Sequence, residues 1–274
     1  MSLTNFPGGG SSSTGVPITK VTMPALAEMK RQGKPISALT AYDYATSRLV
    51  DEAGMDMILV GDSLAMVVMG QDNTLAVTVD EMLHHTRAAA RGRTHALLGA
   101  DLPYKSYETV ETAVANARRL AAAGAEFVKA EGGREILPQV RAIVAAGIPF
   151  CGHLGMLPQH VREEGGYHIK GRKEPEHQAL LADADALVEA GAFALVLELV
   201  AAPVAGELTR RLPIPTIGIG AGPDCDGQIL VTPDLLGMLP WYNLKHVKPK
   251  LNAAEQMRAV VKEWKQGVQA GKRP

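Results

Sequence analysis

Three acids close three separate apolar runs. Asp62 follows Met57-Ile-Leu-Val-Gly61, Asp101 follows Ala96-Leu-Leu-Gly-Ala100, and Glu131 follows Phe127-Val-Lys-Ala130. If those runs are neighbouring strands, the three carboxylates meet at one end and repel strongly unless a cation lies between them. Oxygen donors alone favour a hard ion, and few protein ligands with room for water favour magnesium over calcium. For any one of these acids taken singly, a cap or a solvated loop residue is the competing reading. A fourth acid, Glu198, ends Ala194-Leu-Val-Leu197 with apolar residues on both sides. Partial desolvation suits a general base there, and a buried ion-pair member is the alternative. Lys129 precedes Glu131 by two residues, so on a strand both point the same way. It is placed either to hold a substrate carboxylate or to pair with one of the acids. His153, after Phe150-Cys-Gly152, is a further strand-end candidate. His84 and His85 are adjacent on a helix, face different ways, and are assigned to structure or surface.

The elements that must position these groups repeat. Ala53-Gly54, Ala123-Gly124, Ala146-Gly147 and Ala190-Gly191 each precede an apolar run that ends in a polar side chain. Each copy reads as a helix closed by glycine, then a strand, then a functional group at the strand's C-terminal end. A run apolar on both faces belongs to a parallel sheet buried under helices. The fold expected is α/β, a single (β/α)8 TIM barrel with its active site on the C-terminal face of the strands.

Strands are expected at 36–41, at the Met57 run, at 96–100, at the runs ending in Glu131, His153 and Glu198, within 216–222 together with the turn that follows, and at 228–231. Helices are expected over 44–53, after the capping box Thr78-Val-Asp-Glu81, from a Ser106 cap to Gly124, and over 134–146 and 176–190. A further helix starts near Pro203. The last helix carries Met257, Val260, Val261, Trp264 and Val268 as one apolar stripe, which is core or subunit interface. Segments 64–77 and 156–173 are long for their place in a barrel and are lid candidates, the second the better one. Gly218-Ile-Gly220 follows a strand, but the third glycine of a dinucleotide fingerprint would fall on Pro223, so that reading is rejected.

One barrel accounts for 274 residues, with residues 1–17 a disordered Gly/Ser-rich tail and 18–274 the catalytic domain. Lys+Arg 28 against Asp+Glu 29 leaves a formal charge of -1, which gives no reason to expect nucleic acid or an anionic membrane. Cys151 and Cys225 are too few for a disulfide framework or a zinc site and read as free thiols. No run approaches the roughly 20 apolar residues of a membrane span. A cytoplasmic location is expected.

Laid end to end, Val60-Gly-Asp-Ser63, Asp101-Leu-Pro103, Lys129-Ala-Glu131, Gly152-His-Leu-Gly155, Glu198, Gly218-Ile-Gly-Ala-Gly222 and Asp226-Gly-Gln-Ile-Leu230 resemble the ketopantoate hydroxymethyltransferase family. The resemblance runs from about Pro17 to the last helix. It implies transfer of a one-carbon unit from 5,10-methylenetetrahydrofolate to 3-methyl-2-oxobutanoate, giving 2-dehydropantoate in pantothenate synthesis. It implies a Mg2+ site at Asp62, Asp101 and Glu131. The 2-oxo acid would be bound by Asp62, Ser63, Asp101 and Lys129, with Glu198 as proton acceptor. His153 is added to the binding set as a strand-end group. A homodecamer is also implied. Two positions depart from the family pattern: Leu157 stands where a Thr usually precedes Pro158-Gln159, and Glu164 where an aromatic residue often precedes Gly165-Gly166-Tyr167. Both bear on the lid and the folate contacts. A magnesium-dependent C–C or P–C lyase or mutase of the isocitrate lyase and phosphoenolpyruvate mutase kind is the alternative enzyme, although the lyases' Lys-Cys-Gly-His loop is absent. A non-catalytic metabolite-binding barrel is the alternative of another class.

Overall fold

Eight short strands, each apolar on both faces for most of its length, close on one another in chain order. They are β1 (Ile36–Thr40), β2 (Met57–Val60), β3 (Leu97–Asp101), β4 (Phe127–Glu131), β5 (Phe150–Gly155), β6 (Ala194–Glu198), β7 (Thr216–Ile219) and β8 (Gly227–Leu230). Every neighbouring pair is parallel, and β8 returns to pair with β1, so the barrel is closed. The computed structural model describes residues 19–241 and 247–272. The tail expected at 1–17 lies outside the described residues.

Helices return the chain between strands: α1 (Met23–Arg31) before β1, then α2 (Tyr44–Glu52), the short α3 (Leu64–Val67), α4 (Val79–Gly92), α5 (Val110–Ala122), α6 (Leu137–Ala145), α7 (Glu174–Glu189), α8 (Ala202–Arg211), the short α9 (Thr232–Leu235) and α10 (Ala253–Gln269). The capping box at α4 forms as expected, with Thr78 and Glu81 each accepting the other's backbone N–H. At α5 the expected cap is corrected. Thr109 caps the helix, because its hydroxyl accepts from the Thr112 N–H, whereas Ser106 lies three residues upstream with its hydroxyl buried.

The alternation of strand side chains separates two cores. Outward residues such as Ile58, Val60, Leu98, Val128 and Leu195 pack under the helices. Inward residues Ala38, Met57, Leu59, Leu97, Phe127, Val196 and Ile217 fill the barrel. The Phe127 ring occupies the space that a side chain on Gly99 would need, since a Cβ there would lie 2.1 Å from the ring. Helix α1, which the strand-helix pattern did not anticipate, adds Leu26 and Met29 to the inner core at the end of the barrel that leads away from the acids. Its signal was present in Thr22, a cap whose hydroxyl accepts from the Ala25 N–H, with a proline in the first turn.

The stripe on α10 is not core. Met257, Val260, Val261, Trp264 and Val268 are all more than half exposed, and Ala254 is the buried residue of that helix. No helix among the described residues is long and apolar enough to cross a membrane.

Candidate active site

The inward phase that fills the barrel with Phe127 continues upward into charge. On β4 it runs Phe127, Lys129, Glu131; on β5, Cys151, His153; on β6, Val196, Glu198; on β3, Leu97, Gly99, Asp101. Strand register then sets the neighbours: Asp101 opposite Lys129, Glu131 opposite His153, and Gly155 opposite Glu198. Asp62 lies two residues beyond β2, and its backbone N–H donates to Asp101 Oδ2 at 3.0 Å. Ser63 Oγ and Asp101 Oδ2 both border the small face of Gly61, and Ser63 Oγ lies 2.8 Å from the Tyr42 hydroxyl. All seven residues expected from the sequence therefore gather at one mouth.

Five of them are buried: Asp62, Asp101, Lys129, Glu131 and His153. Lys129 Nζ lies 3.2 Å from Asp101 Oδ1 and 3.1 Å from His153 Nδ1. Burial alone would push the Lys129 ammonium down, but Asp101, Asp62 and Glu131 outweigh it and hold it above its ordinary value. An ammonium has no acceptor, so His153 Nδ1 accepts and the ring proton sits on Nε2. Burial, then the Lys129 charge, holds His153 well below its ordinary pKa and keeps it neutral. Its Nε2 lies 3.3 Å from Glu198 Oε2, in contact but without hydrogen-bond alignment. The other side of the ring places Nδ1 3.8 Å from Glu131 Oε1.

One ammonium faces three buried carboxylates, and the charge does not balance. Burial and then the Asp101 charge push Asp62 up to about 7, and burial and then Asp62 push Glu131 well above the carboxylate range. Asp101 Oδ1 is buried without a hydrogen-bond donor aligned on it. A buried carboxylate oxygen held only by an ion-pair contact, and a surplus of negative charge among all-oxygen donors, suit a hard divalent cation. Among the described residues, no three His, Cys, Asp or Glu side chains already converge as a ready-made cage. Glu131 is turned to a protein donor, the backbone N–H of Gln159, which reaches its Oε2 at 2.9 Å.

That donor belongs to a residue to which the sequence assigns no role. The lid segment 156–173 makes a short turn at Pro158–His160 that drives Gln159 into the mouth, where it is 2% exposed. Its Nε2 donates to Asp62 Oδ2 at 2.8 Å and to the Leu102 carbonyl at 3.1 Å. Its Oε1 accepts from the Tyr107 hydroxyl at 2.6 Å. A glutamine four residues beyond β5 carries no periodic signal for this; the sequence marked it only as part of the Pro158-Gln159 family pattern. On its outer side Gln159 walls a cavity of about 310 Å3 that is also lined by Leu75, Tyr104, Lys105 and Arg162.

The remainder of the lid is tied to strand six. Lys170 N–H donates to the Leu199 carbonyl, and Lys170 Nζ lies 2.6 Å from Glu164 Oε2. Glu164, one of the two departures from the family pattern, is thus used inside the lid. Tyr167, on the same segment and about half exposed, is raised by partial burial and then by the Glu198 charge. Directly after Glu198, Leu199 adopts φ 47, a left-handed conformation that costs a residue with a Cβ roughly 1–2 kcal/mol. It turns the chain away so that Glu198 ends its strand facing the mouth.

Comparison with known proteins bears on this mouth and on the barrel separately. The family profile described as ketopantoate hydroxymethyltransferase matches residues 20–274. The 3-methyl-2-oxobutanoate hydroxymethyltransferase of Moorella thermoacetica is 54% identical over 258 residues, spanning 93% of this chain and 96% of that protein. Among solved structures, phosphonopyruvate hydrolase in complex with oxalate and Mg++ superposes with a TM-score of 0.62 at 15% identity, over 92% of this chain and 88% of that one. A 2,3-dimethylmalate lyase, a member of the PEP mutase/isocitrate lyase superfamily, superposes with a TM-score of 0.57 at 15% identity, over 92% and 98%. At that identity the two structures speak for the barrel alone.

Proposed function

This chain belongs to the ketopantoate hydroxymethyltransferase family, and on that footing we propose that it transfers a one-carbon unit from 5,10-methylenetetrahydrofolate to 3-methyl-2-oxobutanoate. The product is 2-dehydropantoate, on the way to pantothenate. The observation that carries the reading is the placement of two opposed groups across one ring: Lys129 with its carboxylates on one side of His153, Glu198 on the other.

Asp62, Asp101 and Glu131 would hold Mg2+, which when bound supplies Lewis acidity toward the keto group. The Lys129 ammonium attracts the substrate carboxylate and offsets negative charge that develops on the keto oxygen. Ser63 offers its hydroxyl as a hydrogen-bond donor to the substrate, with the Tyr42 hydroxyl 2.8 Å from its oxygen. Glu198 removes the C3 proton. His153, neutral and carrying its proton on Nε2, stands behind the Glu198 carboxylate at 3.3 Å. The C3 electron pair left behind forms the new bond to the one-carbon unit. As the two C–N bonds to the folate break, one water supplies the hydroxyl of the product, and the remaining proton of that water together with the proton held by Glu198 passes to the two nitrogens of the departing tetrahydrofolate. The lid segment, seated by Gln159, keeps bulk water from the acidified C3 position.

The exposed stripe on α10 supports assembly with further copies of the chain, a decamer by family resemblance, because a contiguous apolar face of this kind is normally covered. A cytoplasmic location fits a folate co-substrate. The test is incubation with 3-methyl-2-oxobutanoate and 5,10-methylenetetrahydrofolate, with and without Mg2+. Metal-dependent appearance of 2-dehydropantoate is expected. Its absence in a folded, metal-loaded preparation overturns the reading.

A further inference from the structure

Gln159 comes from neither a strand nor a helix of the barrel, yet it is among the most buried polar residues of the molecule at 2% exposure. Every hydrogen-bonding group it directs inward is engaged. The side-chain nitrogen donates to Asp62 Oδ2 and to the Leu102 carbonyl, and the side-chain oxygen accepts from Tyr107. The backbone N–H donates to Glu131 Oε2. The Tyr107 hydroxyl, whose single proton goes to Gln159 Oε1, also lies 3.1 Å from the Glu131 carbonyl oxygen on β4. Since Tyr107 donates to Oε1 and Leu102 offers only an acceptor, the amide has one orientation: nitrogen toward Asp62. One residue thus grips two carboxylates, on the loops after β2 and at the end of β4, that no strand register links.

We propose that Gln159 is a positioning residue for the reaction: it fixes Asp62 by its amide and Glu131 by its backbone, with Tyr107 setting the amide's orientation, and so prepares both carboxylates for the incoming 2-oxo acid and its cation. The inference rests on the function proposed above. A carboxylate gripped in this way loses its freedom before the ligand arrives, so less order has to be created on binding. The residue type follows from the contacts. A glutamate at 159 would set an oxygen against both Asp62 and the Leu102 carbonyl, and an alanine would leave those acceptors and the Tyr107 hydroxyl without it. The alanine also removes the side chain that stands between the carboxylates and the 310 Å3 cavity outside.

The experiment uses the full chain as wild type, Gln159→Ala, Gln159→Glu and Tyr107→Phe. Three readouts are taken: thermal unfolding, calorimetric titration with Mn2+ alone and then with 3-methyl-2-oxobutanoate, and exchange of the C3 proton with deuterated water without folate. Gln159→Ala is expected to weaken 2-oxo acid binding and slow exchange by about 10- to 100-fold, the usual effect of removing a group that orients a ligand-holding side chain. Gln159→Glu should lose more than Gln159→Ala despite its similar size. Tyr107→Phe should shift both in the same direction by less, because Leu102 still holds the amide. A merely structural role would lower the melting temperature and leave the affinity and exchange of the folded fraction unchanged. That result in Gln159→Ala overturns the proposal; if Gln159→Ala does not fold, unchanged binding and exchange in Tyr107→Phe overturns it. A wild type that binds neither Mn2+ nor the 2-oxo acid fails at the earlier step and overturns the proposed function together with this inference.

Discussion

His153 Nε2 stands 3.3 Å from Glu198 Oε2, while the opposite nitrogen of the same ring is held by Lys129. The imidazole is therefore a spacer between the cationic half of the mouth and the carboxylate proposed as base. Because the lysine can only donate, the ring presents an N–H, and no lone pair, to Glu198.

Glu198→Gln keeps the shape of that side chain and removes its basicity. The variant is expected to bind 3-methyl-2-oxobutanoate within about threefold of wild type and to lose C3 proton exchange by about 10²- to 10⁴-fold, the span attributed to a positioned base. NMR of the substrate in deuterated water measures both. Undiminished exchange would remove Glu198 from the role.

Asp62→Ala and Asp101→Ala each delete oxygens from the proposed cation site, and Asp101→Ala also strips Lys129 of its nearest carboxylate. Each should weaken Mg2+ affinity by about 100-fold or more, at the upper end of what outer-shell losses cost, and 2-oxo acid binding should fall with it. Titration calorimetry decides. Normal binding of metal and substrate by both variants would place the site elsewhere.

The raised carboxylates predict an unusual pH dependence of stability. Asp62 and Glu131 bind protons more readily folded than unfolded, so between the unfolded carboxylate range and about pH 7 the native state holds the extra protons. Stability from these groups is fully present at low pH and is lost as pH rises through their folded pKa values. Neutral His153 acts oppositely, being stabilising above its unfolded pKa and costing stability below it. Metal-free protein should therefore melt lower at pH 8 than at pH 6.5. Asp62→Asn should flatten the decline, and Mg2+ should restore the melting temperature at pH 8. Thermal unfolding in chelator across pH 6.5–8 tests this; a wild type and an Asp62→Asn variant with the same slope would contradict it.

On α10, Val261 is 64% exposed and Trp264 57%. Replacing both with Glu puts two charges on a face that subunit contact would bury. Light scattering should show the wild type as an oligomer and the double variant as a smaller species with its secondary structure intact. A wild type that is monomeric at micromolar concentration would end the assembly proposal.

Much of this protein is legible in one dimension because its signals are local or periodic. Apolar runs unbroken by polar alternation foretold strands buried on both sides, and the glycines Gly54, Gly124, Gly147 and Gly191 that close four of the helices fixed where the next strands begin. A polar residue ending a parallel strand lands on the same rim as its counterparts whatever the details, so Asp101, Glu131, His153 and Glu198 could be grouped before any coordinates existed. The tertiary structure decided what depends on side chains meeting across the rim. Gln159 arrives from a loop whose course no periodicity encodes, and the Thr109 cap displaced Ser106 by three residues through a hydroxyl contact with Thr112. The apolar stripe of α10 could be core or interface from sequence alone, since hydrophobicity says that a face must be covered and not by what; its exposure in the folded chain excludes the core. Hydrogen-bond orientation and charge balance are properties of distances, and distances between residues far apart in sequence exist only once the barrel has closed.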